Sequence, residues 1–440
     1  MKRKIKSKLL LCIIIVSLAL AGIIRDEFSV KCVDDIQNAK NDITSDLRDA
    51  SGDWNPPINK SVGDSPHSLF IGDVNNDGYN DIATANTGSD DVSILLWNST
   101  SGDWDPQINK SVGDTPHSVF IGDANNDGYD DIATANHGCD NVSILLWNST
   151  SDDWNLQITK SVGQYPLSVF IGDANNDGYN DIATVSVSFD NVSILLWNST
   201  SGDWDPQITK SVGDTPHSVF IGDANNDGYN DTATANYYSD DVSILLWNST
   251  SGDWDPQITK SVGHGPFSVF IGDANNDGYN DIATANQISY SVSILLWNNT
   301  SGNWDPQITK SVGDEPFSVF IGDVNNDGYN DIATANLDSD DVSIFLWKSA
   351  SGDWKPQITK SVGDKPFSVF IGDANNDGFN DIATANLDSN DVSILLWTKV
   401  YEPLKEFPLA LIIVISAISA GAIIGLVGIF WYRRKGRKIS

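Results

Sequence analysis

From Asp53 to Trp397 the chain repeats with a strict period of 50 residues, and no other feature restricts its fold so far. The segment Phe-Ile-Gly-Asp-x-Asn-Asn-Asp-Gly-[Tyr/Phe]-x-Asp begins at Phe70, Phe120, Phe170, Phe220, Phe270, Phe320 and Phe370. Periods of this size belong to solenoids, propellers and arrays, whose units bury their apolar faces only against neighbours.

Strand signals within one unit choose among these. Trp54, Ile58 and Val62 share one parity in a short extended run broken by Pro56 and Pro57, which suits an outer edge strand. Three further runs follow, Ser68–Gly72, Asp81–Asn86 and Val92–Trp97, separated by turn residues. The last is apolar on both parities at Leu95, Leu96 and Trp97, so it should be covered on both faces. No segment has helical periodicity. Four short antiparallel strands per unit describe a propeller blade. The array opens with one edge-type strand and closes with three that stop at Trp397, so the first strand can complete the last blade. A solenoid would want atypical capping units, which are missing. The expected fold is all-β, a seven-bladed propeller over 53–397.

Each unit carries Asp-x-Asn-Asn-Asp-Gly-[Tyr/Phe]-x-Asp. Oxygen ligands at positions 1, 3 and 5, glycine at 6, a carbonyl at 7 and Asp at 9 suit a hard cation. The candidate ligands are Asp73, Asn75, Asp77, Tyr79 and Asp81, then Asp123, Asn125, Asp127, Tyr129 and Asp131, then Asp173, Asn175, Asp177, Tyr179 and Asp181. The fourth and fifth loops give Asp223, Asn225, Asp227, Tyr229 and Asp231, and Asp273, Asn275, Asp277, Tyr279 and Asp281. The last two give Asp323, Asn325, Asp327, Tyr329 and Asp331, and Asp373, Asn375, Asp377, Phe379 and Asp381. Thr84 stands where an EF-hand needs a bidentate Glu, and the flanks are strands, so this is a β-hairpin loop. Up to seven Ca²⁺ are expected. The alternative is a polar Asx-rich turn without metal.

These residues resemble a known family. Phe-Ile-Gly-Asp, the acidic loop and Asp-Ile-Ala-Thr-Ala-Asn look like FG-GAP/VCBS repeats, the units of the integrin α-subunit propeller. Ala83-Thr84-Ala85 departs from the Gly-Ala-Pro often found there. The resemblance implies a calcium-bound extracellular propeller used for adhesion or ligand recognition. Some relatives decorate enzymes or act as lectins.

The ends point to export. Five basic residues precede the apolar run Leu9–Ile24, with Ala19-Leu20-Ala21 as a small-x-small cleavage site, so 1–24 reads as a signal peptide or a signal anchor. A linker is expected over 25–52 and a stem over 398–407. Leu409 to Phe430 is uncharged and long enough to cross ~30 Å of hydrocarbon. With Trp431 and Tyr432 at its edge it reads as a transmembrane helix, 408–432, before a basic cytoplasmic tail, 433–440. A sorting signal exchanged for another anchor has the same form. Ten of the 26 Lys and Arg lie at these ends, so the 59 acids face 16 cations elsewhere, a balance of −43. That excludes a nucleic-acid partner, which needs a basic surface. Cys32 and Cys139 alone follow the leader, so no disulfide framework holds the fold.

Antiparallel strands put the acidic loops and the loops after the third strand on one face. The latter hold Asn98, Asn148, Asn198, Asn248 and Asn298 in N-glycosylation acceptor sequences. Sequons at Asn141 and Asn191 fall where a strand begins. The units differ chiefly on the opposite face, where all five histidines lie: His67, His117, His137, His217 and His264. With Tyr165, Phe189, Tyr237, Tyr238 and Tyr290 they form the candidate ligand-binding face. Equally, loop tips tolerate drift and His67 with its equivalents could pack around the central channel. Paired tryptophans such as Trp97 and Trp104 are expected to pack between blades.

The leading expectation is a calcium-dependent cell-surface propeller for adhesion or for recognition of a protein or glycan. The alternative is a glycosylated structural component of the envelope. A carbohydrate-active enzyme is disfavoured, because the acids recur sevenfold and no unique acid, base and nucleophile stand together.

Overall fold

The computed structural model describes residues 52–399, and residues 54–398 form one compact all-β unit. In the first blade the inner strand Pro66–Gly72 pairs with Asp81–Asn86, which pairs with Asp91–Leu95, which pairs with the outer strand Ile108–Ser111. Every pairing is antiparallel, and the pattern recurs in seven four-stranded sheets. The seventh is completed from the other end of the array. Ile58–Ser61 joins Asp391–Leu395 with Ile58 opposite Ile394 and Ser61 opposite Asp391. The seven-bladed ring expected from the offset repeat is thus present.

The core lies between sheets. Ala83, Ala85, Val92 and Ile94 of the first blade pack on Val119, Ile121, Ile132 and Leu145 of the second. The second strand of every blade is buried at all six positions, as stacking on both faces requires. Inner strands approach closely: a Cβ on Gly72 would lie 3.3 Å from Ile121 of the next blade. Around the axis Phe70, Phe120, Phe170, Phe220, Phe270, Phe320 and Phe370 form a closed ring, with neighbouring centroids 4.4–4.7 Å apart.

The outer part of the unit differs from the sequence reading. The third strand stops at Leu95, and Trp97–Asn98 turns into a separate two-stranded ribbon with Asp103–Trp104. Trp104 is therefore not on the outer strand, which starts at Ile108. The Asp105 N–H bonds back to the Leu96 carbonyl at 2.8 Å, and Pro106 has no N–H to continue a ladder.

The expected leader, linker (apart from Gly52), transmembrane helix and tail lie outside the described residues, as does the stem beyond Lys399. Among the described residues no helix is long and apolar enough to cross a membrane.

Candidate functional site

The acidic loop joins the first two strands of each blade. In the first copy Asp73 accepts the Asp77 N–H at 2.8 Å through Oδ1 and the Gly78 N–H at 2.8 Å through Oδ2. Asn75 accepts the Asp77 N–H at 3.0 Å, and Asp77 accepts the Tyr79 N–H at 2.9 Å. Gly78 sits at φ +90°, a left-handed conformation that tightens the turn. The same contacts recur in the other six loops, for example at Asp127 N–H to Asp123 and Tyr229 N–H to Asp227. Among the described residues no three acidic, histidine or cysteine side chains converge on one point, because these carboxylates turn toward their own backbone.

The ninth position is different. Asp81 begins the second strand, is fully buried, and holds the Trp97 N–H at 2.7 Å through Oδ1. Its Oδ2 is buried with no well-formed hydrogen bond, as is that of Asp331, whereas Asp131, Asp181, Asp231, Asp281 and Asp381 accept an alanine N–H there at 3.0–3.2 Å. Burial pushes the Asp81 carboxyl up to about 7 against the opposing Trp97 bond, and the charges of Asp77 and Asp73 add to the rise. Asp331 is pushed up to about 8, again mainly by burial. Asp131, Asp181, Asp231, Asp281 and Asp381 reach about 7. Each loop thus ends on a buried carboxylate beside two more acids. That donor set fits a hard divalent cation.

Sequence reasoning missed a second role of the loop. Asn76, the loop asparagine outside the ligand pattern, donates to the Asp130 carbonyl at 3.1 Å and accepts the Asp130 N–H at 2.7 Å. Asn376 does the same to Asn80, so the loops are latched to one another around the whole ring. The sequon asparagines are also engaged: Asn98 donates to Asp105 at 3.0 Å and accepts from the Thr100 and Ser101 N–H groups. Asn198, Asn248 and Asn298 repeat this with Asp205, Asp255 and Asp305, and Asn148 with Asn155. Between the first acidic loop and the ribbon of the next blade, Asn75, Asp77, Tyr129, Trp147 and Trp154 line an open cleft.

On the opposite face the candidate residues divide in two. His67, His117 and His217 pack inward near the axis. His67 lies 4.6 Å from His117 and 4.4 Å from Phe367, and His217 lies 4.4 Å from Phe267. Burial lowers His117 to about 3 and His217 to about 4, so both are neutral. His137 sits between His117 and Tyr165, at 4.9 and 5.0 Å. Tyr165, Phe189, Tyr238 and Tyr290 are exposed, and Tyr237 is half-buried, donating to Gln287 at 2.6 Å. His264 is exposed and bonds Asp240 at 2.7 Å.

The family model for FG-GAP-like repeats matches residues 73–134, 223–284, 273–334 and 323–384, just over half of the 440 residues. No curated protein sequence matches significantly. Among solved structures, BBS1N in complex with ARL6DN aligns with a TM-score of 0.55 at 11% identity, over 79% of this chain and 98% of that one. Virginiamycin B lyase from Staphylococcus aureus aligns at 0.54 and 10% identity, over 77% and 99%. Kuenenia stuttgartiensis hydrazine synthase aligns at 0.54 and 13%, over 78% and 97%. At such identities the likeness concerns the fold alone.

Proposed function

The chain belongs to the FG-GAP-like repeat family, and from that premise we propose that it is a calcium-binding recognition propeller displayed at the cell surface. The observation that carries the calcium is the buried Oδ2 of Asp81 and Asp331, without a well-formed hydrogen bond, at the end of a loop already crowded with carboxylates. In each loop the first, third, fifth and ninth side chains and the seventh carbonyl would hold the ion. In the first loop these are Asp73, Asn75, Asp77, Tyr79 and Asp81. When bound, calcium would supply the positive charge that a buried carboxylate lacks.

The face opposite the loops supports recognition. Its loops vary while the metal loops and strands stay nearly constant, and they expose aromatic side chains on a rigid frame. An exported leader and a C-terminal anchor, read from the sequence, would present that face outward. Catalysis is not proposed, because the acids of the site recur in every unit.

The test has two arms. Native mass spectrometry with Asp331→Asn should count one calcium fewer than wild type. The multimerised protein should bind intact cells or a glycan array, with loss of binding in chelator. A calcium-stabilised protein that binds nothing but assembles laterally would replace recognition by a structural role.

A further inference from the structure

We propose that the fourth and fifth blades carry a docking site for a protein segment with an apolar anchor flanked by lysine or arginine. The proposal rests on the recognition reading and names the chemistry of the partner. Tyr238, Ile288 and Tyr290 are 69%, 55% and 46% exposed in adjoining loops of an otherwise repetitive face. Beneath them Tyr237 is fixed by its bond to Gln287 and stacks on His217, 4.7 Å away with planes 16° apart. Gly265 closes the gap: a Cβ there would lie 2.8 Å from Ile288 and 3.2 Å from Tyr237. Tyr238, Tyr237 and Ile288 thus adjoin around Gly265 as an apolar surface with a stiff floor, the form of an interface hot spot, and Tyr290 adds a further exposed ring in the same fifth-blade loop as Ile288.

The fifth blade departs from its siblings at a structural position. Asp90, Asp140, Asp190, Asp240, Asp340 and Asn390 each accept the N–H of the turn entering the next blade, at 2.8–3.0 Å. Tyr290 occupies the equivalent place and cannot offer a carboxylate or amide oxygen. A latch has been exchanged for an exposed aromatic ring.

Charge decides what would cover it. The fifth-blade segments 264–265 and 287–291 hold no carboxylate, whereas Asp214, Asp240, Asp314 and Glu315 flank them. Asp240 and Glu315 are near enough to raise the Tyr237 phenol, after burial and Tyr238. Among the described residues the one lysine in the loops of this face, Lys365, is paired with Asp338. An island without carboxylates, where His264 already bonds Asp240, in the negative field of Asp214, Asp314 and Glu315 is complementary to an apolar side chain with cationic flanks. It repels anionic lipid, an acidic segment and a second copy of this face.

Binding of the full chain to three labelled peptides tests this: Lys-Arg-Lys-Trp-Lys-Arg-Lys, the same with alanine for tryptophan, and a version with glutamate for every cation. The tryptophan peptide should bind, weakening with salt, and Tyr238→Ser with Ile288→Ser should reduce its affinity roughly thirtyfold. The glutamate peptide should not bind. Equal binding of the alanine peptide, no loss in the double variant, or no binding of any peptide would overturn the site. Cell binding is measured on the same double variant. Wild-type cell binding unchanged in the variant rejects this patch and keeps recognition. Peptide binding without cell binding keeps the patch and rejects recognition.

Discussion

The Lys360 ammonium lies 5.5 Å from the centre of the Trp54 indole, so a side chain near the start of the array is clasped by one near its end. The same clasp joins each outer strand to the ribbon of the next blade, as in Lys110 over Trp154 at 5.3 Å. Trp54 also meets Trp397 edge-on at 4.7 Å. Because Trp54 is buried and spans the closing seam, Trp54→Ala should cost about 3–5 kcal/mol. Lys110→Ala should cost only about 1 kcal/mol, the worth of a partly solvated cation–π contact and an exposed ion pair with Asp153. Denaturant midpoints followed by tryptophan fluorescence check both, and an unchanged midpoint for Trp54→Ala would mean the seam does not hold the ring.

A second stability prediction concerns a break in the repeat. Six units place isoleucine at the second residue of the second strand, and the fourth has Thr232, fully buried with its hydroxyl unpartnered. An unsatisfied buried hydroxyl costs roughly 1–3 kcal/mol. Thr232→Ile removes that group into a packing environment the other blades already accommodate. The melting temperature should rise, and a fall would show that the fourth blade is shaped around threonine.

Much of this architecture was legible in the chain. The 50-residue period fixed the blade count and the lone first strand foretold the seam, whereas the double-sided burial expected at Leu95, Leu96 and Trp97 falls instead on Asp81–Asn86 and Asp91–Leu95. What escaped were partnerships between units. Trp104 looks like part of an extended run ending at Val112, and the Asp105 bond to Leu96 with the Trp97–Trp104 pairing separates it into a ribbon. Asn76 looks like a spare loop residue, yet it latches the next loop 54 positions on. The histidines divide because residue 67 points to the axis and residue 264 to solvent, a distinction set by blade geometry.

The buried acids predict an unusual pH dependence. The seven ninth-position carboxyls are pushed to about 7 or 8, above their unfolded value near 3.9. Between those values the folded state binds more protons, so calcium-free stability should fall as pH rises from about 4 to about 7. His117 and His217, depressed to about 3 and 4, act oppositely, removing stability as pH drops below about 6.5. Burial lowers His67 and His137 as well, so seven carboxyls stand against four histidines, and the acids win. Thermal unfolding in chelator should give a higher midpoint at pH 5 than at pH 7.5, and excess calcium should reverse the order. An identical pH profile with and without calcium would sink the metal assignment of these loops.

The sequon asparagines allow glycan and structural roles to be separated. Asn248 accepts the Thr250 and Ser251 N–H groups at 3.0 and 3.1 Å and donates to Asp255 at 2.9 Å, pinning the ribbon turn. None of these bonds uses the Thr250 hydroxyl, which an acceptor sequence needs. Thr250→Ala should therefore abolish any glycan at this position and leave the ribbon intact. Asn248→Ala should remove the same mass and also lower stability by about 1 kcal/mol or more, since three bonds are lost. Intact-protein mass and thermal midpoint, measured on both variants from a glycosylating host, report the two roles separately. Equal midpoints for the two variants would show that the asparagine side chain does not hold the turn.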